Sequence, residues 1–299
     1  MDYFFELFFS GLTRGSIYAL IAVGYTMVYG IIELINFAHG EIYMIGAFTA
    51  LVVAGVLTAL GFPALAILAI ALAAAIVWSA AYGFTVEKIA YKPLRGAPRL
   101  SPLISAIGMS IFLQNYVMLA QTPDFLPFPR LMPELPLGPL QSYIGSSGVF
   151  IILATAVSCA GLTLFIKFTR MGKAMRATAQ NSKMAMLVGV NVDRVISLTF
   201  IIGSALAAVG GVLIASHVGQ INFMIGFLAG LKAFTAAVLG GIGSIPGAML
   251  GGLVLGWTES FATGYVSSDY EDVFAFLLLV LILIFRPSGI LGKPPTQKV

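Results

Sequence analysis

The stretch PALAILAIALAAAIVWSAAYGFTV, Pro63–Val86, runs for 24 residues without a charge, and Glu87-Lys-Ile-Ala-Tyr-Lys-Pro-Leu-Arg-Gly-Ala-Pro-Arg99 follows it at once. As a helix the apolar stretch reaches about 36 Å, enough to cross a bilayer core of roughly 30 Å. Lys and Arg beside such a span mark the loop that stays in the cytoplasm. The same alternation recurs along the chain. Of 16 Lys and Arg, 13 fall in three places: Lys88, Lys92, Arg95 and Arg99; Lys167, Arg170, Lys173, Arg176, Lys183 and Arg194; and Arg286, Lys293 and Lys298. Long apolar runs separate them.

Composition excludes most other classes. Apolar residues make up 59% of the 299 residues and charged residues 9%, with a mean hydropathy of +1.00. A single soluble core cannot absorb that much apolar surface. The formal charge of +4 is no nucleic-acid signal, because the positive groups sit beside spans where cytoplasmic bias explains them. Cys159 stands alone in an apolar run, so it reads as a buried thiol. Met1–Phe9 carries Asp2 and Glu6 but no Lys or Arg, unlike the basic start of a cleavable signal peptide. The first span is therefore expected to stay as an anchor.

Working outward, spans are expected at about 8–32, 42–60, 63–86, 100–121, 147–168, 195–216 and 273–285, the last unusually short and stopped by Arg286-Pro287. Segment 121–146 holds six of the 14 prolines and reads as a stiff external loop. Segment 230–263 contains Gly240, Gly241, Gly243, Gly247, Gly251, Gly252 and Gly256, interrupted by Pro246. It reads as two short helices that either cross twice or form a re-entrant hairpin. The expectation is an all-α, polytopic transmembrane helical bundle of about 7–9 membrane segments. It is a single domain over 1–299, with a cytoplasmic loop at 167–194, the N-terminus periplasmic and the C-terminus cytoplasmic.

Polar groups at membrane depth are the candidate functional residues, since ionisable side chains there usually face a protein interior or an aqueous path. They are Arg14, Glu33, His39, Glu41, Lys232 and Glu259. Asn36, His39, Gly40 and Glu41 read either as a helix break near a translocation path or as the cytoplasmic turn after the first span. A metal site is not expected, because His217 is the only other histidine. Gly241, Gly243, Pro246 and Gly247 read either as a close helix contact or as a discontinuous helix in the path. The chain has no G-x-x-x-x-G-K-[ST] sequence, so no phosphate loop of that kind is expected. Segment 172–189 is rich in helix formers, and Gly189 is a plausible stop. Met175, Ala179, Met186 and Val190 give it an apolar side suited to anionic lipid or to a cytoplasmic partner.

Asn36-Phe-Ala-His39-Gly40-Glu41, Met171-Gly-Lys-Ala-Met-Arg-Ala-Thr-Ala-Gln-Asn181, Leu239-Gly-Gly-Ile-Gly-Ser-Ile-Pro-Gly247 and Ile284-Phe-Arg286-Pro287-Ser-Gly289 together resemble the membrane permeases of branched-chain amino acid ABC importers. The resemblance runs over nearly the whole chain and is closest to the smaller of the family's two permease subunits. It implies a bacterial inner-membrane protein that pairs with a second homologous permease subunit. Two cytoplasmic ATPase subunits power the pair, and a periplasmic substrate-binding protein delivers leucine, isoleucine or valine. The chain itself would bind no cofactor, ATP being hydrolysed by the partners. It further implies that 172–189 couples to an ATPase through Gly172, Arg176, Gln180, Asn181, Ala185 and Gly189. Of the E-A-A-x-x-x-G pattern found there in other ABC importers, only the spacing of Ala185 and Gly189 is kept. Urea, short amides or other amino acids are alternative cargoes. An ion-coupled secondary transporter, using carboxylates such as Glu33, Glu41 and Glu259, is the rival mechanism. A membrane-embedded enzyme lacks a convincing nucleophile–base pair in this sequence.

Overall fold

A computed structural model describes residues 2–98, 100–136, 138, 141 and 143–292. Arg99, Lys293 and Lys298 of the basic stretches lie outside the described residues. The helices are α1 Asp2–Ile32, α2 His39–Ala59, α3 Ala64–Val86, α4 Leu100–Ala120, α5 Ser146–Phe168, α6 Arg170–Gln180, α7 Ser182–Leu187, α8 Val192–Val218, α9 Ile225–Gly240, α10 Ile245–Tyr265 and α11 Glu271–Phe285. Six of them, α1 to α5 and α8, are long and apolar enough to cross a membrane, α3 together with the turns that continue it to Leu94, and the bent pair α9–α10 adds a seventh. The 15 residues of α11 span about 22 Å, short of a full crossing. Its expected start moves back only from 273 to Glu271, because Asp272 and Glu271 supply the acidic first turn that a helix N-terminus favours.

The two ends of the bundle differ in charge. One gathers the basic segments: Lys92 at the end of α3 pairs with Asp193 at the start of α8 at 3.0 Å. The other carries the acidic N-terminus of α1, where Tyr143 donates to Asp2 at 2.9 Å, and a two-residue antiparallel ladder, β1 Leu126–Pro127 on β2 Gln220–Ile221. This ladder ties the proline-rich segment to the chain leaving α8. Gly219 makes that exit possible with φ of 79°, a conformation that costs glycine little.

The core is built on α1, whose 31 residues span about 46 Å. Helix α10 lies antiparallel along it through a stripe of glycines. A Cβ on Gly252 would come 2.7 Å from Cβ of Ala19, and one on Gly256 would come 2.5 Å from the Gly11 carbonyl. Backbones this close gain dispersion contacts that larger residues would forbid. Beside them Tyr18, Ile21, Leu255 and Ala236 belong to one packed cluster. A second cluster, with Phe48, Tyr91, Phe200 and Leu113, joins α2, α3, α4 and α8.

Candidate functional site

The break after α1 sits deep in the protein. Glu33 ends α1 in a left-handed conformation, φ 54°, and the chain turns back on itself. Helix α2 then starts at His39, whose ring packs on Tyr25 with centroids 4.7 Å apart and leaves no room for a Cβ on Gly24. Gly24 lies eight residues before the end of α1, so α2 begins about 12 Å inside the bundle rather than at its basic end. Asn36, His39 and Glu41 are 2%, 1% and 0% exposed. The Tyr91 hydroxyl donates to the Ile35 carbonyl at 3.1 Å and to Oδ1 of Asn36 at 3.2 Å. Ser110 of α4 donates to Oε1 of Glu41 at 3.1 Å. Among the described residues, Nδ2 of Asn36, Nε2 of His39 and Oε2 of Glu41 are buried without a hydrogen-bond partner. Burying such groups unpaired costs about 1–3 kcal/mol each.

Helix α9 begins at the same depth. Gly226 in its first turn faces Glu41, with a Cβ there falling 2.5 Å from Oε2 of that residue, and Gly230 faces Gly40. The helix then descends to the basic end, where the chain turns by 119° into α10. The glycine segment thus comprises a short helix starting inside the bundle and a full-length helix returning along α1. Gly241 and Gly243 take φ of 103° and 93° to make the turn. Ser244 caps α10 by accepting from the Gly247 amide at 3.2 Å, and Pro246 occupies the first turn, where its missing N–H costs nothing. Gly247 touches Gly240 backbone to backbone. The segment after α11 closes over this turn: Ile290 and Leu291 donate to the carbonyls of Leu239 and Gly240, each at 2.9 Å. Gly289 also lies against the Gly241 backbone, so two of the recognisable sequence segments, 239–247 and 284–289, meet in space.

The 167–194 segment forms two helices rather than one. Thr169 caps α6, accepting from the Gly172 amide at 2.9 Å, and Asn181 caps α7, accepting from the Met184 amide at 3.0 Å. An extended Asn181, φ −161°, breaks the expected continuous helix because its side chain serves the next helix start. Gly189 ends the segment with φ 87°. Gly172 and Met175 are buried against α5 and its neighbours. Arg176 donates to the carbonyls of Ile166 and Lys167, closing the corner between α5 and α6. Gln180 and Asn181 are exposed, and Ala185 is buried. Met175, Ala179, Met186 and Val190 do not share a face: Met175 is buried while Ala179 and Met186 are exposed. The exposed apolar residues here are Met184, Met186, Leu187 and Val188, the last two 79% exposed. Of these, Met186 lines a cavity of about 800 Å3 bounded also by Ile31, Leu34, Arg95, Ser182 and Asp193.

Two charge clusters escaped the sequence reading. At the basic end, one turn of π-helix, Glu87–Tyr91, continues α3. Its fully buried Glu87 accepts from Ser197 at 2.9 Å and pairs with Arg95, which also pairs with Asp193. Towards the other end, Lys232 of α9 meets Glu259 of α10 at 3.2 Å and Glu271 and Asp272 of α11 at 2.8 Å each. Tyr18 donates to Glu259 at 2.7 Å, and Arg14 pairs with Glu271 at 3.0 Å. Sequence placed Arg14, Lys232 and Glu259 at membrane depth, but nothing in it joins them to an acidic run read as an external loop.

Apolar helices long enough to cross a membrane, two helices that start inside the bundle and a pair of short helices at its basic end define a multi-pass membrane protein. The family model for the branched-chain amino acid transport system permease component matches residues 7–283, and the chain belongs to that family. It is 51% identical over 308 aligned positions to the high-affinity branched-chain amino acid transport system permease protein LivH of Salmonella typhimurium, covering 99% of this chain and 98% of that one. It is 53% identical to the corresponding protein BraD of Pseudomonas aeruginosa, covering 97% and 96%. A probable branched-chain amino acid transport permease of Methanocaldococcus jannaschii is 27% identical over 91% of this chain.

Proposed function

We propose that this chain is one permease subunit of an ABC importer that brings leucine, isoleucine and valine into the cytoplasm across a bacterial inner membrane. The observation that carries the reading is the likeness, at 51–53% identity over nearly full length, to permeases of high-affinity branched-chain amino acid systems. The complex contains a second homologous permease, two ATPases and a periplasmic binding protein. The chain binds no cofactor, and its partners hydrolyse ATP. The basic end faces the cytoplasm, where positive residues are retained, which puts the N-terminus outside and the C-terminus inside.

Helix α7 is the element that meets an ATPase. It presents Met184, Met186, Leu187 and Val188 outward, and Lys183 beside them is exposed. Its motion reaches the break through Asp193, Arg95, Glu87 and the π-turn, since Tyr91 of that turn bonds Ile35 and Asn36. π-turns inside helices recur at functional sites. The cargo passes by the break at Asn36–Glu41, where α2 and α9 both start inside the bundle and leave backbone without helical partners.

The test is uptake in cells. Deleting the gene for this chain is expected to abolish uptake of labelled leucine, isoleucine and valine at submicromolar concentration, and re-expression restores it. Retained uptake of all three, with loss of urea or short-amide uptake instead, overturns the cargo assignment.

A further inference from the structure

At the basic end, α3 with its π-turn runs antiparallel to the start of α8. Gly83 lies against Phe200 and Ser204, Glu87 accepts from Ser197, and Lys92 pairs with Asp193. Beside this contact is a surface groove of about 440 Å3, whose lining includes Phe84, Lys88, Met171, Arg194, Leu198 and Ile201. Phe84 is 40% exposed, Arg194 is exposed, and Leu198 and Ile201 are half-buried.

The groove is ordered by polarity. Lys88 stands four residues after Phe84, and Arg194 four before Leu198. On antiparallel walls, that spacing puts both cations on the basic side and both apolar residues one turn deeper in the membrane. The Lys88 ammonium lies 5.1 Å from the Phe84 ring centre, over the apolar part of the groove. The acidic groups nearby are already engaged: Arg95 pairs with Glu87 and Asp193, and Lys92 pairs with Asp193. Lys88 reaches Glu87 only at 3.6 Å. Among the described residues no carboxylate pairs with Arg194. Four cations, Lys88, Lys92, Arg95 and Arg194, thus face two carboxylates, and the rim is net positive.

We propose that this groove binds one anionic phospholipid from the leaflet at the basic end. Its phosphate sits between Lys88 and Arg194, and its acyl chains run along Phe84, Leu198 and Ile201. The phosphate gives both cations charge-assisted hydrogen bonds, and the planar Arg194 fork suits a phosphate. Basic pockets between membrane helices on the cytoplasmic side take such headgroups. A free phosphate would satisfy the cations but leave the apolar floor uncovered, and it is the floor that selects a lipid. The site stands apart from the cargo path, and its test does not depend on the importer reading.

The experiment counts lipid on the complete complex by native mass spectrometry, after equilibration with equal amounts of phosphatidylglycerol and phosphatidylcholine. The wild type is expected to retain phosphatidylglycerol preferentially. Lys88→Ala/Arg194→Ala is expected to lower its affinity about tenfold or more. Lys167→Ala/Lys173→Ala removes as much charge from exposed positions at the same end but outside the groove, and is expected to change that affinity by less than about twofold. Equal loss in the two double variants, or none in the first, overturns the site. Displacement of the bound lipid by millimolar inorganic phosphate overturns the lipid reading in favour of a free anion. Loss of a partner subunit from Lys88→Ala/Arg194→Ala with the lipid retained overturns it in favour of a subunit contact. If that variant fails to assemble, Phe84→Trp decides, at a position exposed enough to take an indole. The added fluorescence is expected to be quenched about twofold or more strongly by brominated phosphatidylglycerol than by brominated phosphatidylcholine. Equal quenching overturns the proposal.

Discussion

Replacing Lys232 by Met tests how the bundle holds charge inside the membrane. Lys232 is 10% exposed in its side chain and serves three carboxylates, of which Glu259 is fully buried, Glu271 a quarter exposed and Asp272 half exposed. Removing one partner of a buried pair costs about 3–5 kcal/mol, because the other charge remains without compensation. Here the penalty falls mainly on Glu259, which keeps only the Tyr18 hydroxyl. Glu271 retains Arg14, and Asp272 is wet enough that its share is small. At about 1.4 kcal/mol per decade, 3–5 kcal/mol lowers the folded-to-unfolded ratio by roughly two to three and a half powers of ten. The assay is reversible unfolding of the reconstituted protein, with Lys232→Met/Glu259→Gln and Lys232→Met/Asp272→Asn as companions. Neutralising Glu259 is expected to recover most of the loss, and neutralising Asp272 little. A loss under about 1 kcal/mol, or equal rescue by the two companions, refutes the burial argument.

Other consequences are as concrete. Gly247→Leu drives a side chain into the Gly240 backbone and is expected to cost more than the 1–3 kcal/mol of ordinary overpacking, read as loss of folded protein in the membrane. Gly55→Leu, at a position with open space around it, serves as the tolerated control. Asn181→Ala removes the cap of α7 and about 1 kcal/mol with it, which hydrogen exchange reports as roughly fivefold faster exchange across residues 184–187. Leu187→Asp, at a 79% exposed position, is expected to leave insertion intact while ATPase stimulation by the loaded binding protein falls. Normal stimulation in that variant places the ATPase contact elsewhere.

The spans were legible because an apolar run and its basic flank report burial in lipid one residue at a time. Most expected boundaries move by a few residues, as with α5 at Ser146–Phe168 and α8 at Val192–Val218. Helix α1 begins earlier than expected, at Asp2, because Asp and Glu suit a first turn as well as a loop. The depth of Asn36–Glu41 was not legible. Whether that segment lies at the surface or inside depends on what packs on it, and the packing comes from Gly24, Gly203, Gly226 and Gly230, distant in sequence. The division of 170–187 at Asn181 was readable in retrospect, since an Asn before Ser-Lys-Met is a capping residue as much as a helix interior one. Lys232 with its three carboxylates had no local signal, because ion pairs between α9, α10 and α11 exist only once those helices meet.

The most direct measurement is leucine uptake into proteoliposomes holding this chain, its partner permease, the ATPases and the binding protein, with and without ATP. The account expects uptake that requires ATP and is lost when this chain is omitted. Uptake that persists without the ATPases and follows a proton or sodium gradient contradicts it.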